Sequence, residues 1–417
     1  MLSFPRELQN LVLREFSPVE RHRFSLVNKK ARELVLQHNQ QTFRIRRVLL
    51  RFLDTLYNVA RFRILQYELG LLVSGSTALQ FFSDVVYPDS DLDTYVELVK
   101  FRPYADFLLE IGYVFDPIQG QPKNVEDALA AALKKAKRFD FCLEDFDDDS
   151  DYDIPERYLG VNNGMAEVFN FQKDGKKVQV ITCLKTPIEV ILSFHSTCVM
   201  NVISHSHGYS LFPRATFEDR LSFHTPAFTT VKDKDKRARE KYTRRGWRIV
   251  RAPSASSYTR PNSECRDHGL RYIGDSCCWV IPLEPICEPN DVVTVPGSSG
   301  VPMSLKTDPV RAHSWRNKVS YSGFVPKYKV ISSPFLEGKY CLAIGIRYDV
   351  EQLLKSLTAT FKTRDLALVK DLALVMVVHK VCYDYESNSE DGSESCSEDD
   401  SESCSEDDSE SYSEDES

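Results

Sequence analysis

The stretch Leu72-Val73-Ser74-Gly75-Ser76-Thr77-Ala78-Leu79, followed after Tyr87-Pro88-Asp89-Ser90 by Asp91-Leu92-Asp93-Thr94-Tyr95-Val96, decides the reading of the fold. Leu69 to Ser74 reads as a short buried strand, Thr77 to Phe82 as the start of a helix, and Leu92 to Glu97 as a second strand. Side chains alternate across a strand, so Asp91 and Asp93 project from one face, where they could share a divalent metal. Gly75 permits close backbone approach, and amides at Gly75-Ser76 that open a helix suit a phosphate oxygen. Together these features describe a seat for a metal-bound nucleotide. A plainer reading lets the two aspartates cap the strand and satisfy turn amides.

The pattern continues outward with a helix over Phe101 to Ile111 and strands over Glu167 to Gln172 and Lys177 to Thr182. The Asp174-Gly175 turn between those strands signals a hairpin. This is an α/β rhythm, mixed in character because it contains a hairpin. Residues 65 to 225 resemble the polymerase-beta-type nucleotidyltransferase superfamily, with its apolar strand, Gly-Ser, helix and Asp-x-Asp strand. The resemblance implies a mixed sheet with flanking helices, Ser76 near the triphosphate, and Asp91 and Asp93 as catalytic magnesium ligands. In that family two metals stabilise the attacking and leaving oxygens. A third carboxylate from a later strand normally completes the set and deprotonates the attacking hydroxyl. Here the polar residue inside that strand is Gln179, a neutral ligand and no base, with Glu167 as a possible substitute. Lys176 or Lys177 would stand near the leaving group. Without the third carboxylate the fold would bind a nucleoside triphosphate and magnesium while catalysis fails.

The first 40 residues have a different character. Leu8, Leu11, Val12 and Phe16 recur at helical spacing, then Ser17-Pro18 gives a cap and first-turn signal, and Phe24, Val27, Ala31, Leu34 and Val35 form a second periodic set. The elements Phe4-Pro5-Arg6-Glu7-Leu8, Phe16-Ser17-Pro18-Val19-Glu20 and Phe24-Ser25-Leu26-Val27-Asn28-Lys29-Lys30-Ala31-Arg32-Glu33-Leu34 resemble an F-box. That module docks a Skp-type adaptor of cullin ubiquitin ligases, which implies that Pro5, Leu8, Val19 and Val27 are buried by a partner. The alternative is a helical cap on the next domain.

Charge is distributed unevenly. Residues 381 to 417 hold 16 Asp and Glu and no Lys or Arg, so the chain's formal charge of -8 conceals a body with 53 basic against 45 acidic residues. The tail is a repeat, with SESCSEDD at 393 to 400 and again at 401 to 408, and its composition predicts disorder. It either screens the basic body by folding back or serves solubility. Residues 232 to 251 contain ten Lys and Arg against three acidic residues, an electrostatic footprint for nucleic acid or a solvated helix. His195, Cys198, His205 and His207 are ligand types zinc accepts, but core packing is the better reading of their spacing.

Eleven unpaired-looking cysteines fit a reducing compartment. The absence of a signal-like start or a long apolar run predicts a soluble intracellular chain without a membrane partner. The expected organisation is an F-box-like segment over 1–40, basic linker helices over 41–68 and a nucleotidyltransferase-like domain over 69–225 with an acidic loop at 144–153. A mixed region follows over 226–383, then a disordered acidic tail over 384–417.

Overall fold

Local signals start each of the first helices. Helix α1 (Arg6–Glu15) follows Pro5; α2 (Pro18–Ser25) begins at a capping box in which Ser17 Oγ accepts from the Glu20 amide and Glu20 accepts from the Ser17 amide. Helix α3 (Lys29–Thr42) begins where the Asn28 side chain accepts from the Ala31 amide at 2.8 Å. Leu13, Ala31 and Val35 form the small core between them, with His38 buried beside it. The structure, a computed structural model, describes residues 4–143, 164–225, 232–254, 263–286, 308–320, 323–336, 338–360 and 366–382. The acidic loop expected at 144–153 and the tail at 384–417 lie outside the described residues.

The segment expected to be a basic linker is part of the body. Helices α4 (Ile45–Leu53) and α5 (Leu56–Leu69) bury Ile45, Leu49, Phe52, Leu53, Val59 and Phe62 in the main core. Two of their arginines, Arg51 and Arg63, are structural. Arg51 donates to Gln80 Oε1 and the Tyr87 carbonyl, both at 3.1 Å, and the buried Arg63 donates to the carbonyls of Glu284 and His205. Periodicity alone cannot separate such anchoring arginines from solvated ones, because both stand between apolar positions.

The α/β elements follow: β1 (Leu72–Val73), α6 (Gly75–Ser83), β2 (Leu92–Glu97), α7 (Phe101–Glu110), β3 (Val114–Asp116), α8 (Val125–Leu143), β4 (Met165–Lys173) and β5 (Lys176–Cys183), of which β3 and α8 were not expected from the sequence. The hairpin between β4 and β5 turns through Asp174 and Gly175, both at positive φ. After α9 (Pro187–Leu192) come β6 (Asn201–Ile203) and β7 (His207–Ser210), and the strand Trp279–Pro282 joins from the C-terminal region. The eight-stranded sheet has the order Trp279–Pro282, β7, β6, β1, β2, β5, β4, β3. Only the β2–β5 pairing in it is parallel; its other neighbours are antiparallel.

Alternation then divides the core. Val73, Leu92, Val96, Phe169, Phe171, Val178 and Val180 face α4, α5, α7 and α8 on one side. Leu72, Tyr95, Ile181 and Cys183 face α9 and the C-terminal region on the other. That region holds an antiparallel sheet of Leu270–Tyr272, Ser314–Ser320 and Gly323–Lys327, and a closing pair of helices, Ile344–Thr360 and Leu366–Cys382. From the region expected to be mixed, the strand Trp279–Pro282 is recruited to the edge of the main sheet. No helix of the described residues is long and apolar enough to cross a membrane.

Candidate functional site

The parallel pairing sets Asp93 opposite Gln179 across β2 and β5. Both belong to the sheet face shared with Tyr95 and Ile181, and the Gln179 amide has two possible orientations. In one its nitrogen donates to Asn170 Oδ1 at 3.2 Å. The other satisfies both ends of the amide: the nitrogen donates to Asp93 Oδ1 at 3.2 Å and the oxygen accepts from Lys177 Nζ at 3.0 Å. On grounds of satisfaction the second orientation is the better one.

Gly75 and Ser76 meet the same carboxylate. Gly75 has φ of +64°, and a Cβ there would lie 2.6 Å from Asp93 Oδ2, so only glycine fits this approach. The Ser76 amide donates to the Asp93 carboxylate. The first turn of α6 therefore holds Asp93, using an amide that the sequence reading reserved for phosphate. Thr77 Oγ1 fixes the approach of β2 by donating to the Asp91 carbonyl at 2.8 Å.

Two lysines neutralise the pocket. Lys177 Nζ lies 4.0 Å from Asp91 Oδ2. Lys241 comes from α10 (Lys232–Arg244), and its charge opposes the upward shift of both aspartates. Burial raises Asp91 and pushes Asp93 up to about 7, the neighbouring Asp91 charge adding to the latter. Burial and the nearby Arg245 lower Lys241, against the pull of the two carboxylates. Asp91 and Asp93 nevertheless keep some solvent-reachable surface, so the pocket is partly open.

The other expected residues separate. Glu167 projects from the opposite sheet face, with Phe169, and its carboxylate sits 3.7 Å from Lys135 of α8. It cannot serve as the third carboxylate, because strand alternation puts the sheet between it and Asp93. Lys176 is held by Asp54 rather than at the pocket. His195, Cys198, His205 and His207 do not converge, and no group of three metal-ligating side chains occurs among the described residues. Cys198 is fully buried, and His207 faces Asp308.

Magnesium, which the superfamily resemblance implies, does not fit these donors. A hard dication takes several anionic or carbonyl oxygens. Here one of two carboxylates is raised toward neutrality and already accepts from Ser76, the third donor is an amide, and two ammonium groups stand beside them.

Lys241 is the residue that sequence reasoning missed. Its helix was legible as basic, but the signal for docking was the aromatic pair Tyr242 and Trp247 within that charged run. Both are buried, and Arg245 stacks on Tyr87 at 3.8 Å. Tyr242 and Trp247 thus dock α10 beside the pocket, against Leu79, Cys198 and Val199.

A second candidate surface lies on α1 to α3. Leu8 is 48% exposed, Leu11 55% and Val27 66%, and Pro5 is also open to solvent. The side chain of Val19 lies outside the described ones. Leu8 and Leu11, three residues apart, share one face of α1 opposite the buried Leu13. Among the described residues these apolar side chains are left exposed.

Comparison with known proteins bears on this surface. No curated protein and no solved structure matches the chain. Residues 1–40 match the F-box domain model. The helical segment that opens the chain is an F-box domain.

Proposed function

We propose that the chain is an F-box adaptor, in which residues 1–40 dock a Skp-type partner of a cullin ubiquitin ligase and the α/β body presents a protein substrate. The observation that carries this reading is the F-box match over helices whose Pro5, Leu8, Leu11 and Val27 are exposed among the described residues. Burying a leucine contributes roughly 1.5–3 kcal/mol, so a few such side chains suffice to anchor an interface. The test is co-purification of the full chain with a Skp-type adaptor. The wild type should retain the adaptor, and a Pro5→Glu/Leu8→Glu variant should lose it while melting at the same temperature. Failure of the wild type to hold it, or retention by the double variant, would sink the proposal.

A second reading, that the Asp93 pocket binds a nucleotide without turnover, draws on the meeting of Gly75, Ser76, Asp91 and Asp93 beside Lys177 and Lys241. Among the described residues, Lys177 and Lys241 supply charge attractive to phosphate in that pocket, and the aspartates oppose it. Calorimetric titration of each nucleoside triphosphate, with and without magnesium, into wild type and Asp91→Asn/Asp93→Asn tests it. Absence of heat with all of them removes this reading and leaves the adaptor reading untouched.

A further inference from the structure

Between the F-box helices and the body runs a cleft of about 1560 Å³. One wall is α2 and α3, and the other is the turn Arg214–Glu218, the segment around Arg248, and Cys277 to Trp279. Lys29 and Arg32 stand on the first wall, Arg214 and Arg248 on the second, and all four are exposed. None of the four has an ion-pair partner among the described residues. Arg21 lies deeper, over the rings of Phe43 and Trp279.

The acidic groups of the cleft do not cancel this charge. Glu264 is buried and spent on the backbone, accepting from the amides of Arg214 at 3.0 Å and Ala215 at 2.7 Å. Glu218 and Asp219 remain against five cations. The cleft is a positive trough.

We infer that this trough holds the chain's own acidic end, residues 383–417. Charge complementarity is the first ground, because the segment carries 16 Asp and Glu and no Lys or Arg. Its point of departure is the second. Tyr272 Oη donates to the Cys382 carbonyl at 3.2 Å, and the Tyr272 carbonyl accepts from Cys278 Sγ at 3.7 Å. Cys278 lines the trough, so Cys382, the last described residue before the acidic segment, is joined through Tyr272 to the trough's wall. A chain of this length extends to about 100 Å, at about 3.3 Å per residue, so reach imposes no limit.

Tethering is the third ground. A short flexible link gives its ligand an effective concentration of about millimolar, which a free acidic peptide must exceed to compete. The basic helix α10 is the rival site; Arg245 there stacks on Tyr87 and Lys241 lies in the field of Asp91 and Asp93, so part of its charge is already balanced.

This inference does not depend on the adaptor reading, since Pro5, Leu8 and Leu11 do not line the trough. The test uses full-length chains and a fluorescent synthetic peptide copying residues 393–416. A chain whose tail carboxylates are all changed to amides should bind the peptide at least tenfold more tightly than wild type, with the difference shrinking at high salt. Arg32→Glu/Arg248→Glu in the amide-tailed chain should abolish that gain. Carbodiimide treatment, which joins a carboxylate to a lysine amine with loss of water, should link the wild-type tail to Lys29 within one chain, at a yield unchanged by dilution.

Equal peptide binding by wild type and amide-tailed chains would overturn the inference, by showing a trough free for another protein's acidic segment. Gain that survives the Arg32→Glu/Arg248→Glu change would place the tail elsewhere and also overturn it. Cross-links to Lys236 or Lys241, links that fade on dilution, or none at all would do the same.

Discussion

Gln179 stands opposite Asp93 on the parallel strand pair and gives that aspartate a hydrogen-bond donor where a third carboxylate would give it repulsion. The amide also satisfies Lys177, so one neutral side chain bridges a carboxylic acid and an ammonium group. The pocket is built to be neutral without an ion.

Changing Gln179→Glu removes the donor and adds a partly buried negative charge beside Asp91 and Asp93. The expected cost is about 1–3 kcal/mol, the range for leaving a buried polar group without its partner. Magnesium should recover part of that loss, because the variant has three carboxylates, while the wild-type melting temperature should not respond to it. Thermal melts of both chains with magnesium or a chelator check this. A magnesium-dependent rise in the wild type would overturn the argument that its donors do not fit the ion.

Gly75 makes a second prediction from the same contact. Alanine there meets two separate penalties, a positive φ and a Cβ 2.6 Å from Asp93 Oδ2. Gly75→Ala should destabilise the chain by about 1–3 kcal/mol. Combining it with Asp93→Ala should remove the steric part and leave the backbone part. The double-mutant cycle should therefore show coupling of at least about 0.5 kcal/mol. Additive losses would mean that Asp93 does not press on the α6 turn.

These two contacts show how far the sequence carries. Strand alternation placed Asp91 and Asp93 on one face, and the Gly-Ser step correctly marked the turn above them, because both are local properties. Gln179 was visible as the odd residue in its strand, but its register against Asp93 depends on the β2–β5 pairing across 85 residues of chain. Glu167 failed as a substitute because the choice of sheet face in β4 is set by Phe169 and Phe171 entering the core under α8. Lys241 was hidden for a different reason: its nearness to Asp91 and Asp93 depends on how α10 docks, which the sequence context of a lysine does not carry.

Protonation of Asp93 should leave a trace in the pH dependence of stability. Its folded value of about 7 lies above the ordinary 3.8, so the folded chain holds a proton that the unfolded chain has released between those limits. Stability from this group is complete below pH about 4 and is lost as pH rises through about 7. Because the pocket is partly open, the difference between pH 5 and pH 8 should be about 1–2 kcal/mol rather than the full linkage value. Asp93→Asn should flatten that slope and gain on the wild type at pH 8. Denaturant melts of both chains at the two pH values check this, and identical slopes would show that Asp93 is ionised throughout.

His38 predicts the opposite slope in the F-box domain. Its ring bridges α1 and α3, with Nδ1 3.1 Å from Asn10 Oδ1 and Nε2 facing Arg21 Nη1 at 3.5 Å and Thr42 Oγ1 at 3.4 Å. The arrangement suits a neutral ring with Nδ1–H donating to Asn10 and Nε2 accepting, since a second proton would point at the Arg21 guanidinium. Burial lowers its value to about 4, and the charges of Arg21 and Arg14 contribute. The folded value lies below the unfolded one, so the unfolded helices bind more protons from pH about 6.5 down to about 4. Stability therefore falls as pH falls through that window, by about 2 kcal/mol between pH 7 and pH 5. Amide exchange of α1 to α3 at the two pH values should show that loss of protection in the wild type and a much smaller one in His38→Gln. An equal loss in both chains would mean that His38 does not carry the acid sensitivity of these helices, and the neutral bridge to Asn10 would have to be abandoned.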